Sequence, residues 1–285
     1  MPTVRDLRDR IRSLRNTQQI TKAMKQVAAA KIRRAEALQK ESRPYADAIS
    51  EMLRELIASV GTVDHPFMKP GAAGAPRGVI LMTADKGLAG AFNSNIIRAA
   101  DALRRETPDV VWYAVGTKAR NAAKRFPQDV PYEAALGATA KIEGARELGA
   151  RVTDDFVAGK IREIVLVSSR FVTMMSQRPE VRSIVPISAE RTAGTSAPSG
   201  AVEFAPSPEA VLGRLLPKYL EFTLYSAMLE TDAAFFAAQL VAMTNATDNA
   251  GKLIDELTIA MNKARQAAIT KEILEIVGGA EALSA

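Results

Sequence analysis

Between Thr83 and Asn93 the chain reads TADKGLAGAFN, after an apolar run and ahead of an amphipathic one. Glycines at 87 and 90 would shape a strand-to-helix turn, and such a turn at a helix N-terminus can hold an anion such as phosphate. The pattern is neither G-x-x-x-x-G-K-[ST] nor G-x-G-x-x-G, so an ordinary structural turn with Asn93 and Ser94 as helix caps is the competing reading. The single histidine, His65, lies in a Pro-rich stretch that gives it no partner for acid–base work. The acid pairs Asp154-Asp155 and Asp255-Glu256 are adjacent, which suits helix surfaces better than a two-carboxylate site. H-E-x-x-H, C-x-x-C, EF-hand and G-x-S-x-G patterns are all absent. With no cysteine there is no disulfide framework, zinc–thiolate site or thiol nucleophile.

The elements that would carry any site are long helices. Thr3 to about Val60 is helical in pattern: Leu7, Ile11 and Leu14 form one stripe, and Ile20, Met24 and Val27 a second, slightly rotated. Ala28, Ile32 and Ala35 return to the first register, and Ile49, Met52, Leu53, Leu56, Ile57 and Val60 make a wider face. Pro44 predicts a kink and Gly61 a stop. Such a helix would reach roughly 85 Å. A second begins at Ser207-Pro208-Glu209, a capping serine followed by proline and an acid, and runs to Gly278 with an interruption at Pro217. Its length would be roughly 105 Å. Ala246, Ala250, Leu253, Leu257, Ala260, Ala264 and Ala267 alternate at spacings of four and three, a coiled-coil seam rich in alanine. Beyond it Ile269, Ile273, Leu274, Ile276 and Val277 crowd almost every face. A helix apolar all round must be buried, so an apolar tip at a chain end implies a sleeve from another protein.

Asp64–Gly78 and Thr192–Gly200 read as Pro/Gly-rich linkers. Between them the pattern alternates: strands at 78–83, 110–115 and 164–168, helices at 93–105, 118–126 and 142–158, and an edge strand at 181–187 containing Pro186. The expected class is α/β: a long antiparallel coiled coil of N- and C-terminal helices with an inserted doubly wound (Rossmann-like) domain. The expected boundaries are 1–61, 76–190 and 207–285. The net charge of +6 is uneven, because residues 1–43 hold twelve basic residues against four acids, which leaves about −2 for the rest. No apolar signal core opens the chain and no stretch is apolar enough to span a bilayer. The basic N-terminal helix suits nucleic acid, an anionic membrane or an acidic protein surface. Residues 1–43 contain no aromatic for base stacking and the cations lie around the helix, which favours an acidic protein.

The run Asn16-TQQITKAMKQVAAAKIRRAE, then Ser42-Arg43-Pro44-Tyr45-Ala46, Thr83-ADKGLAGAFN, Met175-Ser176-Gln177, Asn245-ATDNA and Asn262-KARQAAITKEILEIVGGA resemble the gamma subunit family of ATP synthase. The resemblance spans essentially the whole chain, most specifically in its terminal blocks. It implies a rotor shaft inside a ring of three alpha and three beta subunits, with a foot on epsilon and the membrane c-ring. Proton flow would turn the ring and shaft, and ATP synthesis would occur on beta. This chain would then carry no cofactor, ATP/ADP and magnesium lying on alpha and beta. The complex would sit at the cytoplasmic face of a bacterial inner membrane, this chain peripheral, not inserted, and free of nucleic acid. Carried over by motif, the grip on beta falls on Arg265, Gln266 and Thr270, with Met24 and Lys25 at the neighbouring level. Arg265 and Gln266 also suit solvated heptad flanks, and Met24 a coiled-coil core. Foot contact with the ring falls near Phe204. Departures are Gln239, where the family often has arginine, and Ala89, where a cysteine is common; the chloroplast-type thiol switch has no residues here. Two other readings stand beside this one: a nucleotide-binding α/β protein using Thr83–Asn93, and a basic coiled-coil adaptor for nucleic acid.

Overall fold

The computed structural model describes residues 3–60, 65–137, 141–187 and 207–284. Gly61, Thr192–Gly200 and Phe204 therefore lie outside the described residues. Helix α1 is Val4–Val60 and the last helix, α5, is Pro208–Ser284. Between them come β1 (Arg77–Met82), α2 (Phe92–Glu106), β2 (Val110–Val115), α3 (Thr117–Ala123), β3 (Tyr132–Ala134), α4 (Lys141–Val157), β4 (Glu163–Thr173) and β5 (Ser176–Val185). By compactness the chain divides into two units: residues 1–28 with 240–285, and residues 29–239.

The larger unit is built on a five-stranded sheet in the order β3-β2-β1-β4-β5. β3, β2, β1 and β4 are parallel and β5 is antiparallel to β4. The strand period of two sorts the core. Val79, Leu81, Trp112, Ala114, Val165 and Val167 face α2 and α3, together with Ala234 and Phe235 of α5. Ile80, Met82, Tyr113, Val115, Ile164 and Leu166 face α4 and the stretches of α1 and α5 that carry Leu53, Leu56, Leu212, Leu216, Leu220 and Leu224. Helices on both faces make the doubly wound arrangement expected from the pattern.

Several local expectations change. β3 has no apolar run to announce it. β4 continues past Ser168 to Thr173 because its far half leaves the core, where a buried-strand signature disappears. The edge strand is Ser176–Val185, so Pro186 lies past its end and Pro179 inside it, opposite Ser169. The stretch after His65 is no loose linker. Phe67 is buried and its carbonyl accepts from Ile187 N at 2.8 Å. Gly71 N donates to the Arg162 carbonyl at 2.9 Å, and a Cβ on Gly71 would meet the Arg162 backbone at 2.6 Å. Neither Pro44 nor Pro217 interrupts its helix. Each is exposed, so the carbonyl it frees one turn earlier faces water, and the apolar stripes on either side keep packing.

Both long helices start on caps. Thr3 N donates to Asp6 Oδ2 at 3.0 Å and Asp6 N to Thr3 Oγ1 at 3.2 Å, a reciprocal capping box. Ala210 N donates to Ser207 Oγ at 3.3 Å, as the Ser-Pro-Glu start predicts.

Candidate partner-binding surfaces

The Thr83–Asn93 turn is closed by its own side chains. Asn93 Oδ1 accepts from Ala84 N at 3.1 Å and its Nδ2 donates to the Lys86 carbonyl at 3.0 Å. Asn93 therefore braces the turn rather than capping a helix; the cap position of α2 is Ala91, with no side-chain bond. Asp85 accepts from Thr117 N (2.8 Å), Thr117 Oγ1 (3.0 Å), Leu136 N (3.1 Å) and Gly137 N (2.9 Å). Burial works against its charge, but the three backbone donors and the hydroxyl outweigh it and hold the carboxyl below its ordinary range. The donors that would cradle a phosphate at these strand ends are thus taken by a carboxylate of the chain itself. Leu88, at φ 61° and largely exposed, stands at the crest of the turn.

Two other singled-out groups are also structural. His65 Nδ1 accepts from Phe67 N at 3.1 Å, and burial lowers its pKa, so it is a neutral cap for a short 3-10 turn. Asp155 is buried and receives Tyr113 Oη (2.9 Å), Arg151 Nε (2.9 Å) and Lys160 Nζ (3.1 Å). Burial raises its pKa, yet these three donors outweigh that and lower it overall, while burial and Asp155 together push the Tyr113 phenol up. Among the described residues no group of three or more His, Cys, Asp or Glu side chains could hold a metal.

The smaller unit pairs the start of α1 with the end of α5. On α1 the covered positions are Leu7, Ile11, Leu14, Gln18, Thr21, Lys25 and Ala28, at alternating spacings of four and three. On α5 they are Met243, Thr247, Ala250, Ile254, Leu257, Met261 and Ala264. The expected alanine seam is thus rotated by part of a turn. Ala250, Leu257 and Ala264 belong to it, but Ile254 is covered where Leu253 was expected, and Ala260 and Ala267 are exposed. Likewise Ile20 (61% exposed) and Val27 (53%) lie outside the α1 seam, with Met24 half-buried beside it. Alanine and threonine fit an inner or outer position alike, so apolar spacing alone does not separate these neighbouring stripes.

Once the seam is located, the cations gain an order that the sequence hid. Arg8, Arg12, Arg15 and Lys22 each follow a seam position by one residue, as Arg5 follows the half-buried Val4 three residues before Leu7, so they share one exposed flank of α1 rather than encircling it. Arg10 lies off that flank.

Past Ala264 the cover ends. Every residue from Arg265 to Ala280 is exposed, including Ile269, Ile273, Leu274, Ile276 and Val277. Arg265, Gln266 and Thr270 lie on this bare stretch, where Thr270 Oγ1 donates back to the Gln266 carbonyl at 2.9 Å. Met24 and Lys25 are half-buried in the paired section. The structure thus places Arg265, Gln266 and Thr270 within two helical turns of one another but not at the level of Met24 and Lys25, which lie many turns away because Gln18 and Thr21 already meet Thr247 and the helices run antiparallel; Phe204 lies outside the described residues. One further exposed apolar group escaped the sequence reading: Val172, Met174 and Met175 at the tip of the β4–β5 hairpin. Its turn is braced by Thr173 Oγ1, which accepts from Met175 N and Ser176 N.

The fold is that of a coiled-coil subunit with a doubly wound α/β domain inserted between its arms. A family model described as ATP synthase matches residues 3–283. The ATP synthase gamma chain of Desulforamulus reducens is 44% identical over 284 residues, 99% of this chain and 100% of that one. The ATP synthase gamma chain of Heliobacterium modesticaldum is 42% identical over 292 residues, again 99% and 100%. Among solved structures, a chain of the Euglena gracilis mitochondrial ATP synthase (OSCP/F1/c-ring, rotational state 3) superposes with a TM-score of 0.68 over 98% of this chain and 94% of that one. At 19% identity it bears on the fold alone. The chain belongs to the ATP synthase gamma chain family.

Proposed function

We propose that this chain is the central-stalk rotor of a proton-translocating ATP synthase and that it does no bond-making chemistry of its own. The observation that carries the reading is the bare end of α5, a helix apolar on most faces that none of the described residues of its own chain covers. In water an isolated stretch of this kind is poorly stable and adhesive, so it needs a sleeve. Three alpha and three beta subunits supply that sleeve around Ile269, Ile273, Leu274, Ile276 and Val277. An apolar tip in an apolar sleeve has no directional bonds to break, so it turns with little resistance. Arg265, Gln266 and Thr270 act as the grip on beta, where directional contacts transmit force, and Met24 and Lys25 act as a separate contact in the paired section, beyond the level of Thr247. The arginine flank of α1 is matched by acidic loops of the surrounding ring.

Residues 76–190 form the foot, with Phe204 at its contact with the c-ring and epsilon as a further partner. Residues 1–61 and 207–285 form the shaft. Proton flow turns the c-ring and the shaft with it, and the shaft's asymmetry drives three catalytic sites through different conformations in turn. ATP, ADP and magnesium are held on alpha and beta. The filled crevice around Asp85 and the self-braced Thr83–Asn93 turn support a domain that binds no nucleotide. Among the described residues no helix is long and apolar enough to cross a membrane, which suits a peripheral subunit at the cytoplasmic face of a bacterial inner membrane.

The test is co-expression with the alpha and beta subunits, followed by size-exclusion with light scattering and an ATPase assay on each peak. A peak of three alpha, three beta and one copy of this chain that hydrolyses ATP is expected. Elution of the chain alone, or only with nucleic acid, overturns the reading.

A further inference from the structure

Within the paired section, three successive seam positions of α1 are polar, Gln18, Thr21 and Lys25, and the first two meet α5 through hydrogen bonds. Gln18 Nε2 donates to the Thr247 carbonyl at 3.4 Å. Thr247 Oγ1 lies 2.8 Å from Thr21 Oγ1, which in turn donates to the Gln18 carbonyl at 3.0 Å. The Thr247 hydroxyl also lies 2.7 Å from the Met243 carbonyl of its own helix, so its one proton is shared between that carbonyl and Thr21, and the cross-helix links are the Gln18 amide to the Thr247 carbonyl and the contact of the two hydroxyls. Thr21 is 8% exposed, so these links lie in the seam and not on the rim. Gly251 makes room for them, since a Cβ there would stand 3.1 Å from Gln18 Nε2. Apolar residues were within reach of the same seam: Ile20 and Val27 sit one position away and are left in water.

We propose that Gln18, Thr21 and Thr247 are the register pin of the shaft, the positioning residues that stop α1 and α5 sliding past one another under torque. The inference rests on the rotor reading and adds a part to it. Apolar and alanine contacts hold two helices together but are non-directional, so they resist separation better than slip. A slide of one turn would move Thr247 away from both Gln18 and Thr21. The Gln18 amide would then lose the carbonyl it reaches across the seam, and the two threonine hydroxyls would keep only the carbonyls of their own helices. A single polar layer that fixes register at some cost in stability is an established device of coiled coils. A shaft that carries load along its length has the use for one.

The test is the triple substitution Gln18→Leu, Thr21→Val, Thr247→Val in the complete membrane complex, beside the parent. In the soluble complex with alpha and beta the shaft carries no load, so ATP hydrolysis is expected within about twofold of the parent. The melting temperature is expected to hold or rise, because apolar groups replace buried polar ones. In sealed vesicles, where the shaft is loaded, proton-driven ATP synthesis is expected to fall roughly threefold or more. Synthesis equal to the parent's overturns the pin. A lowered melting temperature with parallel losses in both activities overturns it in favour of plain structural support. Failure of the parent chain itself to assemble points instead to failure of the rotor reading.

Discussion

Two stretches of α5 are both rich in apolar residues and differ completely in what covers them. From Ala227 to Gln239, Ala227, Met228, Leu229, Thr231, Ala233, Ala234, Phe235, Ala237 and Gln239 are all buried, on every side of the helix. From Arg265 to Ala280 nothing is. The first stretch lies between the sheet and α1 within one unit, and its small alanines let both approach. The second has no such neighbours. Its helix continues because the nucleus is already formed in the packed part, with help from a Lys271–Glu275 pair at 3.5 Å. Apolar content is therefore evidence that a surface is covered, and topology decides whether the cover belongs to the same chain.

One change in each stretch of the free chain tests whether the cover differs as described. Phe235 is 4% exposed and stacks edge-on against Phe92 at 5.8 Å. Phe235→Ala is expected to cost about 3–5 kcal/mol in urea denaturation. Ile273→Ala, 54% exposed before the change, is expected to stay within about 0.5 kcal/mol. A cost above about 1 kcal/mol at Ile273 would mean that the chain covers its own tip, and the contrast would fail. Next in size is a change in the α/β domain. Asp85→Ala leaves three backbone donors and a hydroxyl without their acceptor, so a loss of about 2 kcal/mol is expected, with partial recovery in Asp85→Asn.

In the assembled complex the bare stretch should matter through function and not through fold. Arg265→Ala with Gln266→Ala is expected to lower ATP turnover by roughly tenfold while the helical content stays unchanged. Turnover equal to the parent's would remove the grip from these residues. Truncation after Gly278 is expected to leave turnover within about twofold, because the remaining residues lie past that grip.

How much of this was legible depended on how strongly a segment's burial was written into its composition. β1, β2 and α4 were readable because continuous valine–isoleucine–leucine runs or a clean 3.6 period have few alternatives. β3 was not, being three residues half-buried at most. The coiled-coil seams were read in type but not in phase, because Ala246, Ala260 and Ala267 tolerate either face and Ile20 and Val27 outweigh Gln18 and Thr21 in any apolar count. The hydrogen bonds that Gln18 and Thr21 make with Thr247 in the actual phase are tertiary features. The basic flank stayed hidden for the same reason, since a flank has no meaning until the seam is placed. At the turn, the sequence pointed to glycines, while the geometry gives the work to Asp85 and Asn93, whose partners are up to 52 positions away.

The last effect separates three carboxylates of the larger unit by sign. Asp85 and Asp155 are held below their ordinary value of 3.8, so the stability they supply is present above that pH and is lost as pH falls through their folded pKa. Glu230 of α5 goes the other way. Burial raises it, aided by Glu180, and this outweighs the Phe171 N–H that it accepts at 3.1 Å together with Arg182 and Arg170. A carboxyl with a raised folded pKa holds its proton more tightly when folded. Its contribution is therefore greatest below the ordinary value of 4.5 and declines as pH climbs through the folded pKa. Glu230→Gln keeps an acceptor for Phe171 N and removes the titration. Urea midpoints measured from pH 4.5 upward should fall less steeply in this variant than in the parent, with the two curves meeting at the acid end. If the two profiles run parallel, Glu230 is charged in the fold at little cost, and the β4–β5 hairpin is wetter around α5 than its packing indicates.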